Sequence, residues 1–146
     1  MSAGGPQGRL RLFLDANVLV SGLLFRGPER ELLLAATRGA CEAVTSEYVL
    51  AQVRRVLVRK FGLPGEEVEQ VLGAVGMSVC REPSLARLRR AEALLRDPED
   101  APVLAATWAA KADGLVTGDR DFWAAAPTLE VRLLKTREAL ALLTEQ

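Results

Sequence analysis

Residues 97–122 decide the fold, and their sequence is DPEDAPVLAATWAAKADGLVTGDRDF. Asp97 or Pro98 is expected to begin a helix that continues to about Lys111, since proline favours the first turn of a helix. GLVT follows as a short strand that is apolar and ends in a Gly-Asp turn. Short apolar strands without polar alternation are typical of a parallel sheet that is covered on both faces.

The alternation of helices and strands continues on both sides of this stretch. The first strand is assigned to RLRLFLDANVLV and is expected to end at or near Asp15. Further strands are predicted in CEAVT, MSVCRE and EVRLL, and helices in GPERELLLAATRG, SEYVLAQVRRVLVRKFG, PGEEVEQVLGAVG, SLARLRRAEALLR and TREALALLTEQ. This order predicts an α/β domain whose parallel sheet carries helices on both faces. We expect residues 9–146 to form this one domain and residues 1–8 to be a flexible tail.

The composition excludes several kinds of chemistry. The chain of 146 residues contains no histidine, which excludes histidine-based catalytic triads and most zinc sites. The formal net charge is zero, so a strongly basic nucleic-acid binder is not expected. No apolar run approaches the roughly 18 residues of a membrane span, and the polar start of the chain does not resemble a signal peptide. We therefore expect a cytoplasmic protein that does not associate with membranes.

Four aspartates are expected to meet at one edge of the sheet. Asp15 ends the first strand, and Asp119 and Asp121 follow the GLVT strand. In open parallel sheets, ligands bind beyond the carboxyl ends of the strands. Asp100 joins the other three because it heads the inward-facing stripe of its helix, which continues through Val103, Leu104, Thr107, Trp108 and Lys111.

This group of carboxylates predicts a divalent cation. Like charges at short range destabilise one another unless a cation neutralises them. Oxygen ligands favour Mg²⁺ or Mn²⁺, and either ion can promote hydrolysis of a phosphodiester. Each aspartate taken alone is more typical of a turn or a helix cap, so the prediction depends on their combination.

The segments LFLDANVLVSGLL, SEYVLAQVRRVL, DPEDAPVLAATWAAKADGLVTGD and the following RDF resemble the PIN-domain family. They most resemble its bacterial branch of toxin components from toxin–antitoxin pairs, and the resemblance extends over nearly the whole chain from about Leu10. It implies a three-layer, Rossmann-like sandwich and a ribonuclease that depends on Mg²⁺ or Mn²⁺. The implied metal ligands and catalytic residues are Asp15, Asp100, Asp119 and Asp121. The implied partners are RNA, an antitoxin protein and a second copy of the chain.

One position departs from the family pattern. The family usually has a glutamate in the helix after the second strand, at the position that Gln52 occupies here. Glu47 lies five residues earlier, about 140° away around the helix, and cannot take its place. Two interpretations stay open: a metal-dependent endoribonuclease with weakened metal affinity, or an attenuated PIN module that acts by binding RNA or a protein.

Other polar residues are expected to support the site. Residues expected to position ligands or water by hydrogen bonds are Asn17, Ser21, Gln52 and Thr117. Arg120 lies between two candidate ligands and is the best candidate for contact with a substrate phosphate. A phosphatase-like hydrolase with Asp15 as its nucleophile is less favoured, because Asn17 stands where that class usually has a second aspartate.

Overall fold

The computed structural model describes residues 8–144 and contains a five-stranded sheet. The strands are β1 (Arg11–Leu14), β2 (Glu42–Thr45), β3 (Ser78–Val79), β4 (Gly114–Val116) and β5 (Leu133–Leu134). Their order is β3-β2-β1-β4-β5, and all four pairs are parallel. The predicted parallel sheet of four to five strands is confirmed. The predicted tail, residues 1–8, lies outside the described residues except for Gly8.

Helices flank this sheet. Over residues 8–144 the α-helices are α1 (Ala16–Leu24), α2 (Pro28–Thr37), α3 (Glu47–Arg55), α4 (Gly65–Val75), α5 (Leu85–Leu94), α6 (Ala101–Ala109), α7 (Arg120–Ala124) and α8 (Thr136–Thr144). Parallel crossovers are right-handed, so the reversal of strand order between β1 and β4 places helices on both faces. The predicted three-layer arrangement is therefore confirmed.

The centre of the sheet positions the candidate site. The chain leaves β1 and β4 toward opposite edges of the sheet, which makes the gap between their carboxyl ends the switch point where such sheets bind ligands. Leu14 pairs with Val116, and the Asp15 amide donates to the Val116 carbonyl at 3.1 Å. The next residues along the two strands, Asp15 and Thr117, are thereby brought together.

The predicted end of the first strand, at or near Asp15, agrees with the structure, but the helix that follows it, α1, is absent from the sequence prediction. The structure ends β1 at Leu14 and begins a helix at Ala16, whose amide donates to Asp15 Oδ1 at 2.8 Å. Residues 9–20 contain no glycine or proline, so their apolar pattern fits a strand and a buried helix equally well, and the Asp15 cap begins the helix.

Helix α6 also begins later than the sequence predicts. It starts at Ala101, with Asp100 at the N-cap position, because the preceding residues form a turn in which the Glu99 amide donates to Asp97 Oδ1 at 2.9 Å. Lys111 lies beyond the helix end and is exposed. Helix α3 continues into a π-helical turn, Val56–Lys60, so the single long helix predicted there is divided. No helix among residues 8–144 is long and apolar enough to cross a membrane.

Candidate metal centre

Asp15 is the most buried of the four predicted aspartates, with 6% of its surface exposed. Its two carboxylate oxygens have separate partners: Oδ1 accepts from the Ala16 amide at 2.8 Å, and Oδ2 accepts from the Thr117 hydroxyl at 2.7 Å. Burial raises the pKa of Asp15, and the two hydrogen bonds oppose that rise by stabilising the carboxylate. Asp15 is thus a buried carboxylate with a fixed orientation at the end of β1.

Thr117 connects the ends of β1 and β4. Its hydroxyl donates to Asp15 Oδ2 and accepts from the Asp119 amide at 3.0 Å. The Trp123 indole donates to the Thr117 carbonyl at 2.9 Å. Since Thr117 is only 1% exposed, these bonds hold two aspartate-bearing segments in a fixed relation. Thr117 therefore bonds directly to one candidate ligand, and its supporting role stays a prediction.

Three further carboxylates form a group near Asp15 and Asp119. Asp97, Asp100 and Asp121 each offer a carboxylate oxygen, and these three atoms lie within 4.8 Å of one another. Asp121 reaches this group because Asp119 caps α7, with Asp119 Oδ1 accepting from the Asp121 amide at 2.8 Å. Asp97 is absent from the sequence prediction, although its spacing of three residues before Asp100 is the signal that could have included it.

Asp100 connects this group of three carboxylates with Asp15 and Asp119. Burial, together with the negative charges of Asp119, Asp97 and Asp15, raises its pKa to about 7. Asp100 Oδ2 is buried and has no hydrogen-bond partner among residues 8–144. As the N-cap of α6, Asp100 makes no capping bond with its side chain, so its carboxylate stays available to a ligand. The structure therefore brings all four predicted aspartates, together with Asp97, to the carboxyl edge of β1 and β4.

Little positive charge balances these carboxylates within the described residues. The Arg96 guanidinium lies 3.8 Å from Asp121 Oδ1, but its side chain is 90% exposed, so solvent screens the pair. Arg120 is exposed and makes no ion pair with residues 8–144. Clustered acids with such weak compensation are the arrangement that a bound cation stabilises.

Helix α3 presents Tyr48 to the acidic group. The Tyr48 hydroxyl donates to the Glu99 carbonyl at 2.9 Å, and burial together with the charges of Glu99, Asp100 and Asp97 raises its pKa. Gln52 lies one turn later on the same face of α3 and is partly buried, and its side chain makes no hydrogen bond with the described residues. Glu47 is exposed and lies 3.6 Å from Arg54, as expected if it does not replace a carboxylate at position 52.

Two predicted supporting residues lie beside the aspartates without bonding to them. Asn17 is exposed in the first turn of α1 and lines a cleft next to Thr117. The Ser21 hydroxyl donates to Glu29 Oε1 at 3.3 Å, so its bond is directed to α2 and not to the aspartates as expected. The reason is the close packing of α1 on α2 at Gly22, where an added Cβ would lie 2.6 Å from Leu33 Cδ1.

The family follows from a comparison of sequences. Residues 11–121 match the family model of the PIN domain. The chain belongs to the PIN-domain family. The match begins at β1 and ends at Asp121, so it includes every aspartate of the candidate site. No curated protein sequence matches this PIN domain.

Solved structures support the same fold. VapBC2 from Rickettsia felis, bound to a DNA fragment from its promoter, gives a TM-score of 0.63 at 14% identity over 86% of this chain and 98% of that chain. FitAcB from Neisseria gonorrhoeae gives 0.59 at 15% identity over 86% and 98%. VapC20 from Mycobacterium tuberculosis, a toxin that cleaves the sarcin–ricin loop, gives 0.58 at 21% identity over 83% and 98%. At these identities the likeness shows the fold alone.

The metal-free protein is expected to become less stable as the pH rises toward neutrality. The pKa of Asp100 is about 7 in the folded chain and ordinarily 3.8, so the folded state binds this proton more tightly than the unfolded state. The stabilisation is fully present below pH 3.8 and is lost as the pH rises through about 7. Asp100→Asn should therefore raise the free energy of unfolding at pH 8 by about 1–2 kcal/mol, after allowance for solvent screening of a partly exposed group.

Thermal and urea unfolding in EDTA between pH 5 and pH 8 would measure this effect. Glu31→Gln, an exposed carboxylate on α2, is the matched control and should leave the pH profile unchanged. Parallel profiles for the wild type and Asp100→Asn would contradict the expected proton uptake.

Proposed function

We propose that this PIN domain is a metal-dependent endoribonuclease that hydrolyses phosphodiester bonds in RNA. The observation that carries the proposal is the convergence of Asp15, Asp100, Asp119 and Asp121 at the switch point, with a buried Asp100 oxygen that has no protein partner. Membership in the PIN-domain family supports a nuclease at this place in the fold. In this proposal the protein acts in the cytoplasm.

The donor set fits Mg²⁺ or Mn²⁺. Hard divalent cations prefer carboxylate oxygens, and the site offers these without any histidine or cysteine among the converging residues. Asp15, Asp100, Asp119 and Asp121 would hold the cation, and Asp97 lies close enough to Asp100 and Asp121 to join them. A divalent cation bound there supplies charge neutralisation for the phosphate and activation of the attacking water.

The chain's own residues prepare the site for this chemistry. Thr117 and the Ala16 amide fix the two oxygens of Asp15, so this ligand needs no reorientation when a substrate arrives. Asp100 retains a proton near neutral pH in the absence of a cation, and cation binding therefore releases it. Arg120, exposed at the start of α7, is a candidate for contact with the substrate phosphate.

The biological role that we propose is that of the toxin in a toxin–antitoxin pair. Similarity of fold to VapC20, a toxin that cleaves the sarcin–ricin loop, supports this role. Similarity to the VapBC2 and FitAcB structures is consistent with it. In this proposal an antitoxin segment covers the acidic site, and a second copy of the chain completes a homodimer.

A second function is favoured by one residue. Gln52 supplies a neutral oxygen where the family usually has a carboxylate, so the site has less negative charge to hold a cation. In the extreme case the domain is attenuated as a nuclease and acts by binding RNA or a protein. Cleavage assays distinguish the two functions.

Metal removal is the direct test of the proposed activity. RNA cleavage by the purified chain should stop in EDTA and return when excess Mn²⁺ or Mg²⁺ is added. The same ions should raise the midpoint of thermal unfolding, because they bind the folded site and not the unfolded chain. Cleavage that persists in EDTA, or a midpoint that no divalent cation shifts, would contradict metal dependence.

A further inference from the structure

A cleft of about 370 Å³ opens beside the aspartates. Thr117, whose hydroxyl donates to Asp15, forms part of its wall, as does Gly118. One side of the cleft is formed by α1 and α2, and the other side by the start of α8. No aspartate lines the cleft, but Thr117 joins its wall to Asp15, so the cleft adjoins the candidate metal centre.

The first turn of α8 has backbone donors that the chain leaves available. The Lys135 amide donates to Glu138 Oε1 at 2.7 Å, and the Ala139 amide donates to the Lys135 carbonyl at 3.0 Å. The amides of Thr136 and Arg137, which lie between them, make no hydrogen bond with residues 8–144. Free amides at a helix start attract anions, and the helix dipole adds to that attraction.

Side chains at the same place favour an anion independently of the helix dipole. Thr136 is 8% exposed and lines the cleft, yet its hydroxyl has no hydrogen-bond partner among the described residues. Lys135 and Arg137 are exposed, line the cleft and form no ion pair with residues 8–144. The Lys135 ammonium lies 4.5 Å from the centre of the Trp123 ring, which holds it on the side of α7.

We propose that Lys135, Thr136 and Arg137 bind a phosphate group of the RNA strand next to the phosphate that is hydrolysed. The inference rests on the proposed nuclease function, since it assigns a second contact for the same substrate. Two cations, a hydroxyl and two free amides satisfy the charge and the acceptor oxygens of one phosphodiester.

Glu29 makes the two walls of this cleft different in charge. Glu29 lies on the wall opposite α8, where its carboxylate accepts a hydrogen bond from Ser21 and would repel a phosphate. The cleft therefore has an attractive wall on α8 and a repulsive wall on α2. The phosphate backbone is held to the α8 side, and the ribose and base are directed toward Ser21 and Asn17.

Binding of a fluorescein-labelled oligouridylate, followed by anisotropy, tests the proposal. The measurement uses the Asp15→Asn background with Mn²⁺ present, so that the strand is not cut. Lys135→Gln and Arg137→Gln should each weaken binding about three- to tenfold and lower the salt dependence by about one counterion. Glu29→Gln should strengthen binding, because it removes the repulsive charge.

Matched controls lie at the other end of the strands, near their amino ends. Lys111 and Arg38 are exposed there, at the ends of α6 and α2, and Lys111→Gln and Arg38→Gln should change affinity less than twofold. Equal affinities for the Lys135, Arg137 and control variants would overturn the proposal, and so would a parent that binds no RNA. Loss of binding that is specific to the Lys135 and Arg137 variants supports the proposal. A chain that cuts no RNA with any metal would refute only the nuclease function.

Discussion

Asp15→Asn is expected to lower RNA cleavage at least about a hundredfold, which corresponds to ~3 kcal/mol of lost transition-state stabilisation. The substitution removes the charge of the most buried candidate ligand but keeps its shape. After the substitution the amide oxygen can still accept from the Ala16 amide, and the amide nitrogen can donate to the Thr117 hydroxyl, so the contacts that join β1, α1 and β4 remain. The loss should therefore be one of catalysis and metal binding, without unfolding.

Initial rates of cleavage, with Mn²⁺ affinity from calorimetry and the midpoint of thermal unfolding, would separate these contributions. Asp15→Asn purified in parallel also measures any contaminating ribonuclease. Glu31→Gln removes an exposed carboxylate from α2 and should keep the full rate. A variant that retains cleavage within about twofold, when its fold is intact, would remove Asp15 from the proposed site.

Most of the architecture could be predicted from apolar patterning. The strands GLVT and CEAVT and the helices after Gly27, Ser46, Pro64 and Ser84 are present, because a local cap or proline marks each helix start. Helix α1 could not be predicted, since RLRLFLDANVLV is apolar across the boundary at Asp15 and its period does not distinguish strand from buried helix.

The candidate site could be predicted only in part, because some of its residues are brought together by strand topology and others by tertiary packing. Parallel topology alone brings Asp15 and Asp119 to one edge of the sheet, and helical spacing places Asp100 near them. The three-residue spacing of Asp97 and Asp100 could have included Asp97, whereas Tyr48 depends on how α3 packs, a tertiary contact that no local pattern specifies. The same limit applies to Ser21, whose partner is set by the packing of α1 on α2.

Gln52→Glu is expected to raise Mn²⁺ affinity and the rate at low Mn²⁺ about tenfold or more, since a carboxylate would replace a neutral oxygen at the position where the family usually has a carboxylate. Gln52 shares a face of α3 with Tyr48, whose hydroxyl contacts the Glu99 carbonyl beside Asp100. Added charge at position 52 therefore acts on the acidic group. Without metal the same charge should destabilise the fold, because it adds repulsion to Asp100.

Ala51→Glu is the matched control, since Ala51 is exposed on the adjacent face of α3 and receives the same charge away from the aspartates. It should leave Mn²⁺ affinity and cleavage within about twofold of wild type, because solvent screens an exposed charge. Cleavage that appears only in Gln52→Glu would show the natural domain to be attenuated at an otherwise complete site. Equal responses of the two variants would mean that Gln52 lies too far from the aspartates to act as a ligand. The interpretation of weakened metal affinity would then fail, but the proposed roles of Asp15 and Asp100 would stand.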